Sequence, residues 1–142
     1  MNVREGSPGE KLDLDWSLLF AAWMVALLAT AGSLFFSYVM EFAPCVLCWY
    51  QRIFLFPLVV VLARGLFPSD RGAVRHGLPL PILGPLVAAY HNLVYAGVVP
   101  ESLQPCAKGV SCTEEYIRLF GLLSIPALSL IAFTTLAGIL IA

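Results

Sequence analysis

The sequence predicts an all-α, polytopic membrane protein, a bundle of four transmembrane helices with both termini in the cytoplasm. Of its 142 residues, 60% are hydrophobic and only 12% are charged, whereas soluble domains average about 25% charged residues. Four segments are apolar and long enough to cross a hydrocarbon core of about 30 Å at about 1.5 Å per residue. Lysine and arginine are also more frequent on one side of these segments.

The four predicted helices belong to a single membrane domain of residues 1–142 and follow a tail at 1–15. Their approximate ranges are 16–39, 49–67, 78–99 and 119–142. The first segment contains no charged residue from Trp16 to Val39, and the tail before it is net acidic, which argues against a cleaved signal peptide. An even number of helices places both termini on one side of the membrane, and the loop 100–118 on the other.

The distribution of basic residues predicts the orientation of the bundle. Five basic residues belong to the side of the termini: Arg4, Lys11, Arg64, Arg71 and Arg75. Three belong to the opposite side: Arg52, Lys108 and Arg118. The side with more Lys and Arg faces the cytoplasm, so the longest loop is extracytoplasmic. A formal net charge of -1 provides no basic surface for nucleic acid, and no nucleic-acid partner is expected.

Two cysteines stand at the start of the second helix. Cys45 and Cys48 follow Pro44 after a very short connection, so the pair lies at the membrane surface. Unpaired backbone N–H groups and the positive end of the helix dipole favour thiolate over thiol at this position. Two intervening residues let the sulfur atoms bond with little backbone movement. We therefore expect a redox-active Cys45–Cys48 disulfide.

Two of the ionisable residues within the predicted spans, Arg52 and His91, are candidates for the site. Arg52 follows Cys48 by one helical turn, which places both side chains on the same face. An arginine inside a spanning helix usually faces a partner or a site, which favours a functional role; snorkelling to lipid headgroups is the alternative. His91 lies within the third span, where it either packs as a neutral side chain or takes part in the chemistry.

A second pair, Cys106 and Cys112, lies in the polar 100–118 loop on the same side as the first pair. Gly109 makes the small ring between them easy to close, while exposure and the neighbouring Lys108 would open this disulfide to an outside thiolate. A structural clip is the alternative. Together the two pairs suggest a relay of disulfides in an oxidising compartment, with no bound metal.

The stretch from Pro44 to Arg52, Pro-Cys-Val-Leu-Cys-Trp-Tyr-Gln-Arg, followed by a cysteine pair before the fourth helix, resembles the disulfide bond formation protein B family (DsbB). The segment Val-Ser-Cys-Thr-Glu-Glu-Tyr, at 110–116, resembles its compact, BdbC-like branch, as do Phe-Gly at 120–121 and Ile-Pro at 125–126. The resemblance covers nearly the whole chain from Trp16 onward.

This resemblance implies a protein-disulfide oxidoreductase of the bacterial plasma membrane. Such a protein reoxidises a thioredoxin-fold thiol oxidase of the DsbA or BdbD kind, passes the electrons to ubiquinone or menaquinone, and so supports disulfide formation in exported proteins. It implies that the oxidase attacks Cys106 and that Cys112 resolves the mixed disulfide. Electrons then pass to Cys45, and Cys48 faces the quinone as a thiolate stabilised by Arg52.

Two points in this assignment stay open. The second pair, Cys106 and Cys112, is more closely spaced than in better-studied members of the family, so either cysteine could be attacked first. The family also implies a quinone contact in the region of the third helix, for which His91 is the candidate.

Three other functions were weighed against this one. Four thiolates on one face could hold a structural Zn²⁺, although an extracytoplasmic location favours their oxidation. The architecture of vitamin K epoxide reductase, another four-helix bundle with a redox cysteine pair, places that pair late in the bundle, whereas here it begins the second helix. A channel or transporter would require more ionisable groups within the spans than this sequence has.

Overall fold

The computed structural model describes residues 8–66, 71–105, 112, 118–119 and 121–141. The helices in this part of the chain are α1 (Pro8–Tyr38), α2 (Val46–Leu66), α3 (Arg71–Gly77), α4 (Pro79–Tyr95) and α5 (Ile125–Ile141). A single 3₁₀ turn at Glu101–Leu103 follows α4. Two short strands, β1 (Arg118–Leu119) and β2 (Leu123–Ser124), pair antiparallel just before α5.

The four long helices form a closed bundle, in which α1 and α4 each pack against both α2 and α5. Three apolar spans are long enough to cross a membrane: Trp16–Tyr38 in α1, Val46–Leu66 in α2, and Val74–Tyr95, which begins in α3 and continues through α4. The apolar α5 has 17 residues and is therefore about 25 Å long, near the lower limit for a spanning helix. Many large apolar side chains point outward, as expected of a bundle surrounded by lipid. The predicted four-helix membrane bundle is confirmed.

The core of the bundle combines large apolar side chains with small residues at the helix contacts. Its buried members are Ala22, Ala26, Leu55, Leu58, Leu62, Ala88, Phe133 and Leu136. Gly84 lets α4 approach α5 closely, because a Cβ atom at this position would collide with the Phe133 ring. Without a hydrophobic driving force between helices in lipid, such close van der Waals contact is a main source of association.

The end of α4 differs from the predicted end at residue 99. Helix α4 ends at Tyr95 because Gly97 adopts a φ of 76°, in the left-handed region that glycine tolerates. The Gly97 N–H donates to the Val94 carbonyl at 3.1 Å, and the Val98 N–H donates to the Leu93 carbonyl at 3.1 Å. This pair of bonds is a Schellman motif, and it turns the chain away from the helix axis.

The start of the last helix also differs from the prediction. We expected a helix from residue 119, but α5 begins at Ile125, with Pro126 in its first turn where a missing N–H is tolerated. The residues before it form the β1–β2 hairpin, and Gly121 in the turn has a φ of 72°. At the other end of the chain, α1 begins at Pro8 and so includes much of the predicted tail. The short helix α3, between α2 and α4, was not predicted.

This arrangement brings the site residues to one end of the bundle. The α1–α2 connection, the start of α2, the end of α4 and the start of α5 all lie there, because successive helices run in opposite directions. The Tyr90 hydroxyl donates to the Leu103 carbonyl at 2.8 Å and so ties the 3₁₀ turn to α4. The start of α2 and the turn that follows α4 therefore lie at the same end of the bundle.

Candidate active site

Cys45 caps the N-terminus of α2. Its Sγ accepts a hydrogen bond from the Cys48 backbone N–H at 3.4 Å, and its carbonyl accepts from the Trp49 N–H at 3.1 Å. The first N–H groups of a helix have no partner within the helix, so a sulfur atom placed here satisfies one of them. Cys45 and Cys48 are free thiols whose sulfur atoms lie 3.1 Å apart. The expected proximity of the pair is thus present, in its dithiol form.

These surroundings lower the pKa of the Cys45 thiol from its ordinary value of 9.0 to about 4. The largest cause is the hydrogen bond between the two sulfur atoms; His91 and the Cys48 backbone N–H act in the same direction. Burial of Cys45 opposes them, because it penalises the charged form. In the reduced protein, Cys45 is therefore the thiolate of the pair at neutral pH.

A titration tests this directly in a Cys106→Ser/Cys112→Ser variant, in which Cys45 and Cys48 are the remaining cysteines. Because the pKa of Cys45 is lowered, its thiolate is present above that pKa and is lost as the pH falls through about 4. The ultraviolet absorbance of the reduced protein, compared with the oxidised protein, should show one thiolate at pH about 7, where an ordinary thiol is mostly protonated. A first thiolate that forms only above pH about 8 would contradict the assignment.

His91 lies on α4 directly opposite the start of α2 and is 2% exposed. Its Nε2 is 3.8 Å from the Cys45 Sγ and 3.4 Å from the Cys112 carbonyl oxygen. Its Nδ1 is 3.1 Å from the side-chain Nε2 of Gln51. The sequence is compatible with a merely packed His91 or with one that takes part in the chemistry; in the structure His91 lies in the site, in contact with Cys45.

Arg52 is buried one helical turn below Cys48, at 8% exposure. Its Nε donates to the Ser33 Oγ at 2.9 Å, and one terminal nitrogen donates to the Ser33 carbonyl at 2.9 Å and to the Ser37 hydroxyl. Its guanidinium carbon lies 5.1 Å from the centroid of the Trp49 ring, within the range of a cation–π contact. Arg52 is thus held between α1 and α2 by the hydrogen bonds of its guanidinium.

Cys112 occupies a different position from the exposed loop that the sequence suggested. It is 4% exposed and packs in one apolar cluster with Cys45, Leu47 and Val94. Cys112 is disulfide-bonded, and Cys106 lies outside the described residues. The four-thiolate zinc site weighed from the sequence requires Cys112 as a thiolate and does not match this arrangement. The cluster brings Cys112 of the second pair up against Cys45 of the first.

A cavity of about 300 Å³ opens next to both sulfur atoms. Its wall includes Cys45, Cys48, Arg52, His91 and Cys112, and most of the remaining wall is made of apolar side chains from α1, α2 and α5. Cavities of this size with a few convergent polar groups are typical of small-molecule sites. The cavity has an apolar wall, opens near the membrane surface, and holds one cation and one imidazole beside the thiol pair. Such a cavity suits a lipid-soluble ring that accepts electrons.

Three polar residues of the site, Ser33, Ser37 and Gln51, were not singled out as site residues from the sequence. The one available signal was the spacing of Ser33 and Ser37, which places two hydroxyl groups on the same face of α1. Their role as hydrogen-bond partners of Arg52 depends on the packing of α1 against α2.

The fold and the site together define a membrane-embedded thiol–disulfide oxidoreductase. The sequence model of the family described as disulfide bond formation protein DsbB matches residues 15–142. The chain therefore belongs to the DsbB family, as the resemblance in the cysteine motifs predicted, and its function is in disulfide bond formation.

Relatives of known description agree with this family. A probable disulfide formation protein of Metapseudomonas resinovorans is 47% identical over 129 residues, 90% of each chain. Disulfide bond formation protein C of Bacillus subtilis (strain 168) is 44% identical over 115 residues, 81% of this chain and 83% of the relative. A probable disulfide formation protein C 1 of Bacillus anthracis is 41% identical over 119 residues, 84% and 86% of the two chains. No solved structure matches the chain.

Proposed function

We propose that this protein reoxidises an extracytoplasmic thioredoxin-fold thiol oxidase and passes the electrons to a membrane quinone. The observation that carries the proposal is the shared cavity, whose wall contains both thiols of the Cys45 and Cys48 pair, Arg52, His91 and Cys112. A partner-facing disulfide and a lipid-soluble acceptor can therefore exchange electrons through one site. The cysteines lie on the extracytoplasmic face of a bacterial plasma membrane, an orientation that the distribution of basic residues supports.

The relay begins with both pairs as disulfides. A thiolate of the partner attacks Cys106, the bond from Cys106 to Cys112 breaks, and the second partner thiol then releases the oxidised partner. The freed Cys112 thiolate attacks Cys45, with which it shares an apolar cluster, and Cys48 leaves as a thiolate. Exchange with Cys106 then restores the second disulfide and leaves Cys45 and Cys48 reduced.

The last step returns the helix-start pair to its disulfide. Cys45 and Cys48 lose two electrons and two protons, and the quinone gains two of each to become a quinol. Arg52 lines the same cavity as Cys48, so it would stabilise negative charge on the Cys48 sulfur and on a quinone bound there, because a buried cation is weakly screened. His91 lies within reach of the Cys45 sulfur, where it can take up or deliver a proton.

The experiment combines the purified protein, a reduced thioredoxin-fold oxidase and either ubiquinone or menaquinone, and it follows quinone absorbance together with the partner's thiol content. We expect one quinone to be reduced for every two thiols oxidised. The Cys106→Ser/Cys112→Ser variant is the control and should lose the partner-dependent rate. If neither quinone is reduced while the partner is oxidised, the proposed acceptor is wrong.

A further inference from the structure

The thiol pair and the imidazole of the site also form a set of metal ligands. The two Sγ atoms of Cys45 and Cys48 and a ring nitrogen of His91 lie within 4.8 Å of one another. Two of these side chains are buried and the third is half-buried. Thiolate sulfur and imidazole nitrogen are the ligands that Zn²⁺ prefers, and two cysteines with one histidine is a known zinc ligand set.

The spacing of the ligand atoms is close to that of a tetrahedral zinc site. Bonds of about 2.3 Å to sulfur and about 2.0 Å to nitrogen imply about 3.8 Å between two sulfurs and about 3.5 Å between sulfur and nitrogen. The two sulfur atoms lie 3.1 Å apart, and the Cys45 sulfur lies 3.8 Å from the His91 Nε2. Side-chain movements on the order of 1 Å would therefore close the site, and the adjoining cavity leaves room for a fourth ligand.

Gln51 completes the site from behind the histidine. A ligating histidine usually donates its other ring N–H to an acceptor, which fixes the tautomer and aims the ligand nitrogen. The Gln51 side-chain Nε2 lies 3.1 Å from the His91 Nδ1. Rotation of the Gln51 amide by half a turn exchanges its nitrogen for its oxygen, which then accepts from the Nδ1–H and leaves Nε2 free for the metal.

We propose that the reduced protein binds Zn²⁺ through Cys45, Cys48 and His91, and that the oxidised protein does not. Binding replaces the thiol protons with the metal and changes no oxidation state. The complex of two thiolates with Zn²⁺ has no net charge, so it suits the low dielectric at the membrane boundary better than two bare thiolates would. A Cys45–Cys48 disulfide has no thiolate that could bind zinc. The site therefore exists only after the pair has been reduced and before it is oxidised again. The sequence predicted no bound metal. The proposed site differs from that prediction only in the state in which Cys45 and Cys48 are both reduced.

Zinc would hold the protein in its reduced state. A sulfur bound to the metal cannot form the Cys45–Cys48 disulfide, so the electrons cannot leave for an acceptor until the zinc is removed. This consequence rests on the proposed function, whereas the binding itself does not, because it requires neither quinone nor partner. Zinc binding is therefore measured with both of them absent.

The first measurement uses a tag-free Cys106→Ser/Cys112→Ser variant, so that redox changes are confined to the helix-start pair. The reduced and oxidised forms are each titrated with Zn²⁺ against a chromophoric chelator. We expect one zinc per reduced chain, none per oxidised chain, and protection of Cys45 and Cys48 from alkylation. Equal binding by the two forms would overturn the proposal.

The second measurement identifies the ligands in the reduced wild-type protein. Zinc X-ray absorption should show two sulfur ligands at about 2.3 Å and at least one imidazole nitrogen at about 2.0 Å. Four sulfur ligands would indicate the four-cysteine site instead and would refute the proposal. The measurement requires no substitution, so it holds even where a variant fails to fold.

Matched variants then test the two residues on the imidazole side. His91→Ala should weaken zinc binding by more than about 10-fold, since it removes a ligand, whereas His76→Ala on the exposed α3 should not change it. Gln51→Leu should weaken binding by about 10-fold to 100-fold through the second shell of ligands. Its control is Gln104→Leu, because the Gln104 amide donates to the backbone carbonyl of Val99 and not to the His91 ring. If His91→Ala binds zinc as tightly as His76→Ala, the histidine is not a ligand.

Discussion

Replacing Cys48 with serine is expected to reduce quinone reduction to the background rate. Serine cannot form the disulfide that carries two electrons away from Cys45, and its hydroxyl does not ionise at neutral pH. Cys48 lies in the cavity wall beside Arg52, so the acceptor would meet this sulfur on entering the cavity. The rate is measured from quinone absorbance with a reduced thioredoxin-fold oxidase as the electron source.

The same variant should keep its reaction with the partner. Cys106 and Cys112 are unchanged in it, so a mixed disulfide with the oxidase should still form and be visible on a non-reducing gel. The complementary Cys106→Ser/Cys112→Ser variant should show the opposite result: no mixed disulfide, but quinone reduction when a small dithiol reduces Cys45 and Cys48 directly. Wild-type quinone reduction by the Cys48→Ser protein would show that the electrons leave by another route.

Sequence and structure differ most on which cysteine of the first pair, Cys45 or Cys48, is the thiolate. The family resemblance assigns the thiolate that meets the quinone to Cys48. In the dithiol, however, the helix-capping position and the contact with His91 favour negative charge on Cys45. The two statements are compatible if Cys45 holds the charge at rest and Cys48 is the leaving thiolate during exchange. The spacing of the cysteines alone could not distinguish these states, because it does not show which sulfur accepts the helix N–H.

Hydropathy predicted the long helices well, because the thickness of the bilayer sets the length of an apolar segment. It failed where local backbone geometry decides. The apolar residues before Ile125 would also suit a helix by their hydropathy. The turn at Gly121 folds them into a hairpin instead. Likewise, Gly97 ends α4 while the sequence beyond it remains apolar. Single glycines with positive φ have little weight in a hydropathy window, but they determine where these helices begin and end.

The site was predictable as far as it rests on contacts along one helix. Cys48 and Arg52 lie one turn apart in α2 and Cys45 directly precedes this helix, so their proximity follows from the helical repeat. The contacts between helices were not predictable in the same way. Ser33 and His91 approach α2 from α1 and α4. The order in which four similar apolar helices pack cannot be predicted from their hydropathy. The burial of Cys112 against Cys45 depends on the same packing.

Replacing Arg52 with methionine is expected to lower the catalytic efficiency with quinone by about 10-fold to 100-fold, which corresponds to losing about 1.5–3 kcal/mol for a hydrogen bond to a charged group. Methionine keeps much of the apolar bulk of arginine but removes the charge next to Cys48. The rate of mixed-disulfide formation with the partner should stay unchanged, because that reaction begins at the second pair. Steady-state rates at several quinone concentrations, with a separate gel assay of the mixed disulfide, measure both effects.

The structural role of Arg52 must be separated from its electrostatic role, because its guanidinium also ties α1 to α2. A Ser33→Ala/Ser37→Ala variant removes the hydroxyl partners on α1 and keeps the charge. Arg64→Met, at the exposed far end of α2, controls for the loss of an arginine from the same helix. If the charge acts on the quinone, the serine variant should retain most of the activity that Arg52→Met loses. If the serine variant loses as much as Arg52→Met, or if Arg52→Met lowers only the yield in the membrane, then Arg52 acts by holding the helices together and the cation has no part in electron transfer.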